Sequence, residues 1–135
     1  MASILILEDN FETARSIKKP LELVGHTVEV VSNVRRAIEY VKQRKVDLAI
    51  VDLFIDPISD GSREGGITFI SQIKQIDRID LPVLVISGSF SANKPPHFVS
   101  SSISTTKTVG ADMTLAKPIN IERLITSVDI LLSKK

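Results

Sequence analysis

Four apolar runs in this 135-residue chain end on residues that can do chemistry. The run ILIL ends on Glu8-Asp9, VDLAIV on Asp52, LPVLVI on Ser87, and DMTLA on Lys117. The central stretch Val46–Asp52 is short, β-branched and without polar alternation, which predicts a strand covered on both faces, as in a parallel sheet. If all four runs are parallel strands, their polar ends share one edge, the edge where open α/β sheets bind ligands. Glu8, Asp9 and Asp52 would repel one another there unless a cation intervenes. A hard divalent ion with oxygen ligands, Mg²⁺ above all, meets that need. Lys117 would add a mobile positive charge and Ser87 a hydroxyl donor, so that the set surrounds a phosphoryl group held near Asp52.

Each of these residues taken singly has an ordinary structural explanation. Glu8-Asp9 suits a helix N-cap and a partner for the helix dipole. A serine at a strand end is usually a turn residue, lysine before proline is common in loops, and an aspartate after an apolar run is often a cap. Their joint placement, one group per strand at the same edge, argues for chemistry.

The elements that would position them read as follows. Ser3–Leu7 is a short strand. Phe11–Val24 has helical spacing, with Ala14, Ile17, Leu21 and Val24 on one face, a kink or early end expected at Pro20, and Gly25 as the residue after the cap. Thr27–Val31 is a strand whose single charge, Glu29, suggests the sheet edge. Ser32 or Asn33 caps a helix to about Arg44 that buries Val34, Ala37, Ile38 and Val41. After Val46–Asp52 comes a loop to Gly66 with Pro57, Asp60-Gly61 and Gly65-Gly66, then a helix over Ile67–Ile76 with Ile67, Ile70, Ile73 and Lys74 in helical register. Leu81–Ile86 is a strand entered through Pro82. From Ser87 to Gly110, 24 residues hold seven Ser and three Thr; such residues form helices poorly, so the helix expected in the second half is short or frayed. Asp112–Ala116 is a brief strand. Asn120 caps a last helix to about Ser133 that buries Ile121, Leu124, Ile125, Val128, Leu131 and Leu132.

Five successive strand–helix units imply an α/β fold: a doubly wound, flavodoxin-like (βα)5 parallel sheet of five strands in the order 2-1-3-4-5, with helices on both faces. Composition agrees with one domain over residues 1–135: 43% of residues are hydrophobic and 24% charged, enough for a real core. A net charge of +1 gives no general attraction to nucleic acid or an anionic membrane. The absence of cysteine rules out disulfides, thiolate metal sites and thiol catalysis, and suits the cytoplasm. The N-terminus MASILILEDN lacks a basic region and a long apolar stretch, so neither a signal peptide nor a membrane span is expected. No internal repeat is present.

On the residues Glu8-Asp9 after ILIL, Asp52 after VDLAIV, Gly66-Ile67 before FISQIK, Ser87-Gly88 after LPVLVI and Lys117-Pro118 in GADMTLAKP, the chain resembles the receiver domain of two-component response regulators, from Ile4 to the last helix. The resemblance implies that Asp52 is the phosphoacceptor. Asp9, Glu8 (in part through water), Asp52 and the main-chain oxygen of Phe54 would hold Mg²⁺. Lys117 would pair with Asp52 and then with the phosphoryl oxygens, and Ser87 would bond the phosphoryl group. Phe54, Gly88, Ser89 and Thr114 would modulate the site, and the Lys117–Pro118 bond would be cis. The donor would be a phosphohistidine on a sensor histidine kinase or a histidine phosphotransfer protein. The output would be a conformational shift read by a downstream protein, with no direct contact to nucleic acid or membrane, and with homodimerisation of the phospho-form left open. Such a domain phosphorylates and dephosphorylates itself without turning over a free substrate.

Three features depart from the family pattern. The loop from Asp52 to Gly66 is long and carries Asp56, Asp60 and Glu64, as either a solvated loop or a partner contact. The Ser/Thr-rich segment is either an order–disorder switch or an insertion with no role. Thr114 stands where receivers often have Tyr or Phe, so an aromatic switch is absent there; His97 and Phe98 are either its substitutes or, for His97, an exposed loop residue. Phe54 cannot orient an attacking water, which predicts slow self-dephosphorylation. Two other functions remain open. One is a pseudo-receiver that serves only as a protein-interaction module, although such domains usually lose a residue of the set. The other is a Mg²⁺-dependent phosphohydrolase, which usually has a second carboxylate where Phe54 stands.

Overall fold

A computed structural model describes residues 2–52, 66–76, 81–87, 112–116 and 119–133. The elements are β1 (Ser3–Leu7), α1 (Phe11–Leu23), β2 (Thr27–Val31), α2 (Val34–Gln43), β3 (Leu48–Asp52), α3 (Gly66–Lys74), β4 (Val83–Ser87), β5 (Met113–Ala116) and α4 (Ile121–Ser133). The five strands form one sheet in the order β2-β1-β3-β4-β5, every pair parallel. This is the doubly wound, flavodoxin-like order expected from the strand–helix alternation. The helix expected within residues 89–110 and the loop 53–65 lie outside the described residues.

Strand pleating divides the core in two. Leu5, Leu7, Ala49, Val51, Val83 and Val85 face α2 and α3, where they meet Val34, Ala37, Val41, Phe69, Ile70 and Ile73. The alternate residues Ile4, Ile6, Leu48, Ile50, Leu84 and Ile86 face α1 and α4 and meet Ile17, Leu21, Leu124, Val128 and Leu131. Both faces of β3 are therefore covered, and all five of its residues are buried, which is why its sequence shows no alternation. Truncating a side chain such as Ile50 or Phe69 would cost about 2–5 kcal/mol.

Helix ends follow local chemistry. The side chains of Asn10, Asn33 and Asn120 accept the N–H groups of Thr13, Arg36 and Arg123 at 2.9, 2.9 and 3.0 Å, each satisfying an N–H left open at a helix start. At the end of α1, Gly25 takes φ of 102°. His26 N–H then reaches the Leu21 carbonyl and Gly25 N–H the Glu22 carbonyl, the paired bonds that a left-handed residue makes possible. Glu29 is exposed in the middle of β2, which is an edge strand as expected.

The structure corrects several boundaries. α1 continues three residues past Pro20 instead of stopping there, because Leu21 is pulled into the core. β3 begins at Leu48 and not at Val46, because Asp47 is occupied in bonding Ser3: it accepts the Ser3 N–H at 2.8 Å and its own N–H donates to the Ser3 carbonyl. β4 begins at Val83, although Leu81 ahead of it is buried. β5 begins at Met113 because the Asp112 carboxylate accepts the Val83 N–H at 2.8 Å. Ile121, expected in the core, is 52% exposed, and the two residues that follow it in the first turn of α4 are exposed as well. Phe69, which the spacing did not single out, is fully buried. No helix among the described residues is long and apolar enough to cross a membrane.

Candidate acidic site at the carboxyl edge of the sheet

Register brings the acidic residues together. Leu7 pairs with Val51 across β1 and β3, so Glu8 and Asp52, each the next residue, are neighbours at the carboxyl edge. Their parity is that of Ile6 and Ile50, which places both on the sheet face covered by α1 and α4. Glu8 extends β1 by donating its N–H to the Val31 carbonyl. Its side-chain Oε1 accepts the Asn10 N–H at 3.0 Å, which holds the turn into α1.

The result is a cluster in which one carboxylate oxygen each from Glu8, Asp9 and Asp52 lies within 4.8 Å of the other two. Glu8 and Asp52 are 2% and 4% exposed, so two of the three charges are withdrawn from solvent. Asp9 is half-buried. The donor set fits a hard divalent cation. Donors about 2.0–2.1 Å from a Mg²⁺ ion stand up to about 4.2 Å apart, and the longer bonds of Ca²⁺ allow more. The fit is to the chemistry of the oxygens: three anionic donors, no sulfur, no imidazole.

The other expected site residues stand as follows. The main chain of Ser87 closes β4 one step beyond Ile86, the partner of Asp52, and pairs with Ala116. Ser87 is therefore at the same edge as Asp52. Thr114 is half-buried in β5 opposite Val85. Phe54, Gly88, Ser89, Lys117 and Pro118 lie outside the described residues, as do the loop acids Asp56, Asp60 and Glu64 and the residues His97 and Phe98. The N-cap role weighed for Glu8-Asp9 belongs to Asn10. Sequence reasoning gave Phe11 no role beyond opening a helix and placed Ile121 in the core; they are the first residues of α1 and α4. Both are exposed apolar residues, at 77% and 52% exposure.

Comparison with known proteins agrees with this arrangement. The family profile described as the response regulator receiver domain matches residues 4–129. The virulence transcriptional regulatory protein PhoP of Salmonella choleraesuis (strain SC-B67) is 29% identical over 134 residues, which are 99% of this chain and 53% of PhoP. The chain thus spans about half the length of the curated relatives it matches. The signal receiver domain of a signal transduction histidine kinase from Syntrophus aciditrophicus is 27% identical, with a TM-score of 0.80 over 99% of this chain and 92% of that one. The Francisella response regulator 1452 receiver domain, 23% identical with a TM-score of 0.79 over 99% and 98% of the two chains, shares the fold. A matched profile over nearly the whole chain, the 2-1-3-4-5 sheet and an acidic cluster at its carboxyl edge lead to one assignment: the chain belongs to the family of response regulator receiver domains.

Proposed function

We propose that Asp52 accepts a phosphoryl group from a phosphohistidine on a sensor histidine kinase or a histidine phosphotransfer protein, in a reaction that depends on Mg²⁺. The observation that carries this reading is the placement of Asp52. It ends the central strand, is 4% exposed, and has the Glu8 and Asp9 carboxylates within 4.8 Å. So close a set of anions is suited to a divalent cation and a phosphoryl group together.

In the proposed step an Asp52 carboxylate oxygen attacks phosphorus in line. The P–N bond breaks, its electron pair leaves with the imidazole nitrogen, and that nitrogen takes up a proton. The product is an acyl phosphate on Asp52. Mg²⁺ held by Glu8, Asp9, Asp52 and the main-chain oxygen of Phe54 would neutralise the charge that gathers as a phosphoryl group meets carboxylates. Lys117 is assigned the pairing with Asp52 and then with the phosphoryl oxygens, and Ser87 the hydrogen bond that reports them. Gly88, Ser89, Thr114 and Phe54 are assigned modulating roles.

The acyl phosphate would bias a pre-existing equilibrium between two conformations. Its reader would be a downstream protein, with nucleic acid and membrane reached only through that partner and homodimerisation as one route. The chain would act in the cytoplasm as one domain, and it would turn over no free substrate.

Intact mass after incubation with acetyl phosphate, with and without Mg²⁺, tests the reading. The expected result is a Mg²⁺-dependent gain of one phosphoryl group in the wild type and none in Asp52→Asn. An unlabelled wild type would instead favour a pseudo-receiver that only binds proteins.

A further inference from the structure

Three helices of the chain start in the same way. Asn10, Asn33 and Asn120 stand just ahead of α1, α2 and α4, and the side-chain oxygen of each accepts the N–H three residues on, at 2.9, 2.9 and 3.0 Å. The main-chain carbonyl of each accepts the N–H four residues on, from Ala14, Ala37 and Leu124. Asn10 differs in what its own N–H does. Among the described residues it is the one cap of the three whose main-chain N–H donates to a side chain, the Oε1 of Glu8 at 3.0 Å. The start of α1 is thereby joined to a carboxylate of the acidic cluster.

The joint is short and held at both ends. Glu8 is 2% exposed, and its N–H donates to the Val31 carbonyl of β2 at 3.1 Å. Asn10 is exposed, but the two helix bonds that it accepts fix its place. Asp9 lies between these two anchored residues. A buried carboxylate that shares a 4.8 Å cluster with two others is pushed away from them while nothing neutralises the charge. The Asn10 N–H opposes that displacement, because a charge-assisted bond holds one oxygen of Glu8. It does so only while Asn10 keeps its place, and the cap is what keeps it there. A divalent cation held by the cluster favours the same position of Glu8 by removing the repulsion. Cap and cation therefore favour one arrangement of residues 8–10.

We infer that Asn10 is a positioning residue for the divalent-cation site, and that occupancy of the site and order in the first turn of α1 stabilise each other. This role rests on the Mg²⁺ dependence proposed above for the reaction at Asp52, and it adds a means by which the fold holds that site ready. It requires no contact between Asn10 and the cation or the phosphoryl group. Carboxylates that ligate metals are commonly held in place by such outer hydrogen bonds. Here the outer bond comes from a helix cap, so the coupling is reciprocal. Loosening the cap weakens the hold on the cation, and the cation tightens the cap. Asn33 is the internal reference: it caps α2 through the same side-chain and main-chain bonds, and its helix start has no bond to the cluster among the described residues.

The test is a Mg²⁺ titration of the full chain as wild type, Asn10→Ala, Asn10→Ser and Asn33→Ala, followed by amide chemical shifts and amide hydrogen exchange. Asn10→Ala should weaken Mg²⁺ binding by ~5-fold, the equivalent of one helix cap. Asn10→Ser restores a side-chain oxygen and should return the affinity to within ~2-fold of the wild type. Asn33→Ala loses a cap as well and should unfold more easily, yet bind Mg²⁺ as the wild type does. In the wild type, saturating Mg²⁺ should slow exchange of the Thr13 N–H and leave the Arg36 N–H as it was. The Mg²⁺ concentration that half-saturates labelling by acetyl phosphate should rise in Asn10→Ala by the same ~5-fold. Wild-type affinity in Asn10→Ala would overturn the inference. So would an equal loss in Asn33→Ala, because the effect would then be one of general stability. A wild type that binds no Mg²⁺ would overturn the inference together with the Mg²⁺ dependence on which it rests. The expected binding pattern without any labelling of the wild type would overturn the Asp52 reading and support the role of Asn10.

Discussion

At the amino edge of the sheet, Asp47 and Asp112 each accept a main-chain N–H from a neighbouring strand, Ser3 and Val83 respectively, at 2.8 Å in both cases. At the carboxyl edge, Glu8, Asp9 and Asp52 gather three carboxylate oxygens within 4.8 Å. The functional group is the same, a carboxylate, and so is the parallel sheet between the two edges. The difference is direction. The amino edge presents the first N–H groups of strands, which one carboxylate each can satisfy. At the carboxyl edge the chain turns away into helices, and register stacks acids from adjacent strands against one another. A carboxylate that satisfies an N–H contributes stability, whereas a cluster of carboxylates holds repulsion that a cation can relieve.

One substitution made at both edges should give opposite results. Asn at position 47 or 112 keeps an oxygen that accepts the strand N–H, so folding and acetyl phosphate labelling should both survive. Asn at position 52 has no carboxylate to attack phosphorus, and labelling should fall below detection by intact mass. Asp9→Asn should slow labelling by ~100-fold or more, because the amide is a weaker donor to a hard cation. Labelling of Asp52→Asn, or its loss in both Asp47→Asn and Asp112→Asn, would break the comparison outright.

Alanine reverses the ranking. Asp47→Ala and Asp112→Ala each leave a strand N–H without its acceptor, and urea unfolding should show a loss of about 1–2 kcal/mol. Labelling of the folded fraction should be unchanged. A smaller effect separates the edges by ligand. Mg²⁺ at ten times its dissociation constant should stabilise the wild type by about 1.4 kcal/mol. The same gain is expected in Asp47→Ala and none in Asp9→Asn, read as the rise of the unfolding midpoint with added Mg²⁺.

The comparison also explains what was legible in the sequence. The carboxyl-edge acids stood out because each follows an apolar run, so Asp52, Glu8 and Asp9 could be placed before any coordinates. The sheet order followed from the alternation of elements. Asp47 and Asp112 were absorbed into the strands that they precede, because an acid just ahead of an apolar run looks the same whether it extends the strand or caps its neighbour. Only register distinguishes the two, and register brings Asp47 to Ser3 across 44 residues. Ile121 was misplaced for a related reason. Helical periodicity gives the buried face of α4 correctly at Leu124, Val128 and Leu131, but it does not say at which turn burial begins. Burial begins past Ile121, which is left exposed.

The amino edge offers one last contrast, the smallest in size. Lys74 Nζ lies 3.5 Å from the Asp112 carboxylate and donates to the Leu81 carbonyl at 3.2 Å. Both charged side chains are about one-third exposed. Asp112 therefore has two partners, a main-chain N–H and an ammonium group, and their contributions should differ. An exposed ion pair is screened by water and salt and contributes ~0–1 kcal/mol. The N–H bond to Val83 is shorter and joins the start of β4 to the residue ahead of β5. Lys74→Met keeps the length of the side chain and removes its charge. It should lower stability by less than ~1 kcal/mol, less than Asp112→Ala does, and the loss should shrink further when unfolding is repeated in high salt. If Lys74→Met proved as costly as Asp112→Ala at every salt concentration, the ion pair and not the strand N–H would be the reason for the aspartate, and the amino edge would owe its order to side-chain charge.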